Sequence, residues 1–210
     1  DATSVVLGPG PVTVQGSDSR AMKTGDFDGD GRMDVFMGEA GADAPPFPGG
    51  QSRLLLQHQT GKLTDETSIR LPQMNMFVHS SSVGDVNGDG ALDILAGNIL
   101  SRVVTGPVFY TNDGSGHFAI DPSRLPAGID ASGLPAPQTP VFQLTGVLLV
   151  DVNRDGHLDC VLGASPVAGL PAADILLMND GTGHFKVATN ALPPRFQGSN
   201  ALTIVLATAD

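Results

Sequence analysis

Three nine-residue stretches place oxygen-bearing side chains at alternate positions: D-F-D-G-D-G-R-M-D from Asp26 to Asp34, D-V-N-G-D-G-A-L-D from Asp85 to Asp93, and D-V-N-R-D-G-H-L-D from Asp151 to Asp159. Oxygen ligands at the first, third, fifth and ninth positions, with a glycine at the sixth to turn the backbone inward, suit a hard cation such as Ca²⁺. The candidate ligands are Asp26, Asp28, Asp30 and Asp34; Asp85, Asn87, Asp89 and Asp93; and Asp151, Asn153, Asp155 and Asp159. The seventh residue, Arg32, Ala91 or His157, would add its backbone carbonyl. Asn supplies a neutral amide oxygen, so the second and third sites are expected to bind more weakly than the first. Arg154 stands where the other loops have Gly29 and Gly88, and brings a positive side chain to the third.

The residues just after each loop define its type. An EF-hand needs a bidentate Glu at position twelve and an exiting helix, but Met37, Ala96 and Leu162 stand there. Each loop instead enters a short apolar run, Val35-Phe36-Met37, Ile94-Leu95-Ala96 or Cys160-Val161-Leu162, of the kind that fills a buried strand. The expectation is a calcium-clamped connection between two β-strands. Cys160, the only cysteine, occupies the place of Val35 and Ile94 and reads as a small buried apolar residue.

The elements around the loops repeat with them. The first ligands are 59 and 66 residues apart, and another 59 leads from Asp151 to Asp210, preceded by the apolar pattern of Ala201 to Ala209. Each period has a lead-in strand (Ala21 to Gly25, Ser80 to Gly84, Gly146 to Val150), the loop and the apolar strand. A third strand comes next (Leu54 to Leu56, Val108 to Tyr110, Ile175 to Leu177) and enters a tight turn, N-D-G-S-G-H-F from Asn112 to Phe118 or N-D-G-T-G-H-F from Asn179 to Phe185. Asn, Asp and Gly accept the positive φ of hairpin reversals. The first copy, Gln57 to Leu63, is degenerate but equally long. A fourth strand should end at Leu71-Pro72, Leu125-Pro126 or Leu192-Pro193.

Four short strands per period of about 60 residues is the pattern of a β-propeller blade. The chain reads as all-β, three full blades at residues 20–78, 79–144 and 145–198, with part of a preceding blade or a strap at 1–19 and the start of another at 199–210. Propellers close with about 4 to 8 blades, so a ring would need more chain or a partner molecule; a linear stack of the same units is the structural rival.

Gly 27 and Pro 16 make up about a fifth of the 210 residues, the punctuation of an all-β chain, and 40% hydrophobic with 16% charged residues is globular rather than disordered. Ten of the 22 acidic residues lie inside the three loops, so three Ca²⁺ would reduce the formal charge from -11 to about -5. Net negative charge with no basic stripe argues against nucleic acid, and no apolar run approaches the roughly 20 residues of a membrane span. Beginning at Asp1, the chain is expected to be a processed protein or an excised piece.

The loops and N-D-G-x-G-x-F hairpins resemble FG-GAP/VCBS repeats, the blade units of integrin-α-like β-propellers, over roughly residues 20–210, with Gly163-Ala164-Ser165-Pro166 similar to a family Gly-Ala-Pro segment. The resemblance implies a seven-bladed, extracytoplasmic propeller, with structural Ca²⁺ in the three loops, that serves adhesion, ligand recognition or scaffolding. Its partner would be a protein or glycan. The competing expectation is an accessory or catalytic propeller of an extracellular lyase or hydrolase. Metalloprotease, phosphate-loop and nucleophile-elbow motifs are absent from the sequence, and no catalytic residue is assigned. His117 and His184 read as solvated turn residues. His79, with Ser80, Ser81 and Ser82, would line a wet central channel if the lead-in strand is innermost. With no Trp and a single Tyr, nothing advertises a sugar platform.

Overall fold

The computed structural model describes residues 6–7, 18–45, 47–59, 61–99, 106–126, 129, 143–165 and 174–188. The expected strand at Ala201–Ala209, the fourth-loop Asp210, Leu192-Pro193 and Pro166 lie outside them. The first sheet contains β1 (Val6–Leu7), β2 (Ser19–Gly25), β3 (Asp34–Glu39), β5 (Arg53–Gln59) and β6 (Lys62–Asp65); a short pair, β4 (Gly50–Gln51) with β7 (Asn75–Met76), stands apart. The second runs β8 (Val78–Gly84), β9 (Asp93–Asn98), β10 (Val108–Asn112), β11 (Phe118–Ile120); the third runs β12 (Gln143–Val150), β13 (Asp159–Ser165), β14 (Ile175–Asn179), β15 (Phe185–Val187). Consecutive strands in each sheet are antiparallel neighbours, apart from β1, which pairs parallel with the outer strand β6. The protein is thus all-β, built of antiparallel four-stranded sheets, and its described sheets do not close into a ring.

The second sheet lies between the other two, so both its faces are buried and alternation along a strand distributes side chains to two cores. Ile94 and Ala96 join Phe36, Leu54, Leu56 and Tyr110 in the core shared with the first sheet, whereas Leu95 joins Leu144, Leu149, Cys160 and Leu177 in the core shared with the third. This explains why all six residues of β9 are buried. Cys160 sits inside that second core as a free thiol, and burial pushes its pKa up. The first strands pack side by side, β2 on β8 and β8 on β12. Leu92 and Leu158, at the eighth loop position, insert against Gly25 and Gly84 of the preceding sheet, where an added Cβ would meet Leu92 Cδ1 at 2.6 Å and Leu158 Cδ1 at 2.4 Å.

The structure corrects two expectations. The fourth strand does not reach the Leu-Pro pair: β6 stops at Asp65 and β11 at Ile120, and a helical turn intervenes, α1 at Thr67–Arg70 or a 3₁₀ turn at Pro122–Arg124. The cause is local side-chain bonding: Asp65 Oδ1 accepts from Thr67 N in an Asx turn ahead of α1, and Asp121 caps the 3₁₀ turn by accepting from Ser123 N, with Pro122 favouring its start. The lead-in strands also begin earlier than expected, each with a bulge, at Arg20, His79 and Thr145. Among the described residues no helix is long and apolar enough to cross a membrane.

Because neighbouring residues of β9 fill different cores, Ile94→Ala and Leu95→Ala should each cost about 2–5 kcal/mol in urea denaturation. Their effects should be nearly additive, the result expected when two cavities share no lining.

Candidate metal centre

Each loop joins the first strand of a sheet to the second, at the end where the hairpin also lies, and all three fold in the same way. The first-position carboxylate accepts the fifth and sixth amides of its loop: Asp26 from Asp30 N at 3.0 Å and Gly31 N at 2.9 Å, Asp85 from Asp89 N at 3.2 Å and Gly90 N at 2.8 Å, Asp151 from Asp155 N at 3.1 Å and Gly156 N at 2.9 Å; Asp85 also accepts from Gly88 N at 2.7 Å. The third residue, Asp28, Asn87 or Asn153, accepts the same fifth-position amide. The fifth accepts from the amides of Arg32, Ala91 and His157. These bonds need a tight inward coil, which the sixth glycine supplies with φ of 83°, 87° and 91°. In the first loop the carboxylates of Asp26, Asp28 and Asp34 have oxygens within 4.8 Å of one another. The same hydrogen-bond pattern holds Asp85, Asn87 and Asp89, and Asp151, Asn153 and Asp155, in matching order.

The ninth residues behave differently from the others. Asp34, Asp93 and Asp159 are fully buried, at 0% exposure. One oxygen of each accepts an amide of the third strand, from Gln57 within β5 and from Asn112 and Asn179 at the ends of β10 and β14, at 2.8, 2.8 and 2.9 Å. In the first and third loops the other oxygen accepts the second loop amide, from Phe27 at 2.8 Å and Val152 at 3.0 Å. In the second loop Asp93 Oδ2 is buried without a partner at full hydrogen-bond geometry. The Val86 amide, counterpart of Phe27 and Val152, still faces the carboxylate and opposes the burial that pushes the Asp93 pKa up to about 6. Burial likewise raises Asp34, against the lowering influence of its two amides. At the exposed fifth position of the third loop, the Asn153 amide holds Asp155 below its ordinary value.

The hairpins complete the loops of the sheet before them, a function not apparent from the turn signature. Asn112 is buried, and its Nδ2 donates to Phe27 O of the first loop at 2.7 Å and to Leu92 O at 3.2 Å; its Oδ1 accepts from Gly114 N and Gly116 N. Asn179 repeats this with Val86 O at 2.8 Å, Leu158 O at 2.9 Å, Gly181 N and Gly183 N. In return Arg70 donates to Ser115 O, and Arg124 to Gly183 O at 3.3 Å. The only advance sign of those arginines is the repeated Arg-Leu-Pro of residues 70–72 and 124–126. Gly116 and Gly183 lie where any Cβ would press on Asp28 Cβ or Asn87 Cβ at 3.1 Å. Phe27 and Val86 are therefore 1% and 2% exposed, whereas Val152 is 48% exposed and residues 152–157 are open.

The remaining candidates have other roles. The Arg32 side chain pairs with Asp30 and donates to Gln57 O, while Ala91 is buried and His157 packs beside Gly181. Arg154 keeps the left-handed conformation of Gly29 and Gly88, with φ of 62°. Asp113 and Asp180 fold back onto Ser115 and Thr182, which hold both carboxyls below the ordinary range, and His117 and His184 stand exposed beside them. At the opposite end of the sheets, the bulges bring Arg20 Nη1 to His79 Nε2 at 2.6 Å, between Asp18 and Asp43 and against the Phe77 ring. Burial, then the Arg20 charge, lowers the His79 pKa. Ser82 Oγ accepts from Leu149 N, and the Ser80 and Ser81 hydroxyls are buried without partners.

Compared with known families, residues 26–96 match the model of the FG-GAP-like repeat. No curated protein matches the chain.

Two substitutions probe this arrangement. Asn112→Ala leaves Phe27 O and two hairpin amides without partners and should cost upwards of about 2 kcal/mol by chemical denaturation; Asn112→Asp should do no better, because a carboxylate cannot donate to Phe27 O. Arg154→Gly, which removes left-handed strain, should stabilise the protein by about 1 kcal/mol.

Proposed function

Since residues 26–96 match the FG-GAP-like repeat, we propose that the chain is a run of calcium-bound β-propeller blades, three among its described residues, from a secreted, cell-surface or periplasmic protein. Its work is adhesion, ligand recognition or scaffolding rather than catalysis. Further blades, from the same protein or a partner, complete the ring.

The observation that carries the calcium assignment is the convergence of loop oxygens, with those of Asp26, Asp28 and Asp34 within 4.8 Å of one another and Asp93 Oδ2 of the second loop buried short of a full hydrogen bond. A buried acceptor without a partner costs about 1–3 kcal/mol, more when charged. Burial alone drives this carboxyl toward protonation, and the charge of Asp89 drives it further. A hard divalent cation removes both penalties, and Asp85, Asn87 and Asp89 precede it in a coil already shaped by their own amide bonds. The bound ion supplies positive charge and coordination, and so would be structural. The chain's residues do the rest: the ninth Asp ties the loop to the third strand, and Asn112 or Asn179 ties it to the next sheet.

The open positions support the propeller reading. Val152 is exposed where Phe27 and Val86 are covered by a following sheet, and Met33 is 54% exposed where its counterparts Leu92 and Leu158 insert into a preceding one. Those two surfaces are where neighbouring blades would pack.

Native mass spectrometry of stripped and calcium-restored protein, paired with thermal melts by circular dichroism, tests the assignment. Three Ca²⁺ per chain and a melt raised far more by calcium than by magnesium are expected; at a free concentration about 100 times Kd, each site contributes roughly 2.7 kcal/mol. Asp93→Asn should bind one ion fewer while losing little stability without calcium. No uptake, or uptake that leaves the melt unchanged, would overturn it.

A further inference from the structure

In the first sheet the residue after the hairpin's leading side chain is His58, where the other sheets have Asp113 and Asp180. Those two aspartates are consumed by their own turns. His58 instead turns toward the loop: a ring nitrogen, an Asp28 oxygen and an Asp30 oxygen lie within 4.8 Å of one another, and Nδ1 faces Asp28. Its other nitrogen, Nε2, meets Glu66 Oε1, while Glu66 Oε2 accepts from Arg70 Nε at 2.6 Å. Paired with a guanidinium, Glu66 is an acceptor only, so Nε2 is the ring's donor to it. Nδ1 is the nitrogen left on the side of Asp28, where it would ligate a metal.

Two features separate this from an ordinary ion pair. Nδ1 stands 3.8 Å from Asp28 Oδ2, too far for a hydrogen bond. That spacing is near the edge of a tetrahedron whose ligands stand about 2.0–2.1 Å from a central zinc, roughly 3.4 Å. A ring whose second nitrogen donates to a carboxylate is also the arrangement that fixes metal-binding histidines. Arg32 holds both oxygens of Asp30, Oδ1 through its amide at 2.9 Å and Oδ2 through its guanidinium, and Arg70 holds Glu66, so two cations brace the acids.

We propose that His58, Asp28 and Asp30 form a site for a borderline divalent transition metal of the Zn²⁺ class, oriented by Glu66 and Arg70, beside the first loop. A nitrogen ligand with two carboxylates favours such a metal over Ca²⁺, and three protein ligands leave a fourth position to solvent. The site shares Asp28 and Asp30 with the proposed calcium loop but does not depend on calcium filling it. Neither the second nor the third sheet has a counterpart, because Asp113 and Asp180 are bound to their own hairpins.

The test is titration of the full chain, in saturating Ca²⁺, with Zn²⁺ followed by native mass spectrometry and with Co²⁺ followed by visible absorption. One transition-metal ion per chain is expected, with the absorption of a low-coordinate nitrogen and oxygen site. His58→Gln should weaken Zn²⁺ binding at least about 10-fold, and Glu66→Gln about 10–100-fold through loss of ring orientation, with the calcium count unchanged in both. No Zn²⁺ retained in the presence of Ca²⁺, or retention indifferent to His58→Gln, overturns the proposal. Because calcium is counted in the same spectra, failure of this site is distinguished from failure of the calcium loops.

Discussion

The arrangement depends on a carboxylate in a place where water cannot reach it. Asp34, Asp93 and Asp159 each sit at zero exposure at the start of a second strand and accept an amide of the third. A buried charge is tolerated only when its acceptors are filled, which amides do at both oxygens of Asp34 and Asp159 and at one of Asp93, so the ninth residue fixes the loop, the strand and the hairpin at one point. The rest of the loop is built on that anchor. Its first, third and fifth side chains bond the coil's amides, and the oxygens end up facing inward together.

The sheets are joined by two kinds of contact that reinforce each other. Apolar alternation divides β9 and β10 between two cores, which gives adhesion without direction. The polar clasp gives direction: an asparagine from the following sheet bonds the loop carbonyl, and an arginine from the preceding sheet bonds the hairpin carbonyl. Each buried amide group of Asn112 and Asn179 has all its hydrogen-bonding capacity used, which is how a polar residue can lie between two cores without destabilising them.

Much of this is legible in the residues. The loops, the apolar second strands, the hairpins and the four-strand period all recur in the sequence and in the sheets, because each rests on local chemistry: alternating acids, a glycine at a tight bend, apolar runs. The illegible parts depend on distant partners. Nothing in N-D-G-x-G says that its Asn donates to a carbonyl 85 or 93 residues away. The helical turns before Leu71 and Leu125 are hidden by brevity, and β4 and β7, two residues each, have no periodicity to read. His58 gives no signal because its turn is the degenerate one, although that degeneracy is what frees the ring.

The clasp also has a handedness in sequence order: the second residue of a loop, Phe27 or Val86, is roofed by the asparagine of the sheet that comes after it, while that asparagine's other amide proton serves its own loop at Leu92 or Leu158. In any open row of such units one loop is always left unroofed, however many units are added. Only a closed circuit has no last member, so under the proposed propeller reading the asymmetry of a single asparagine side chain would leave any finite row one clasp short.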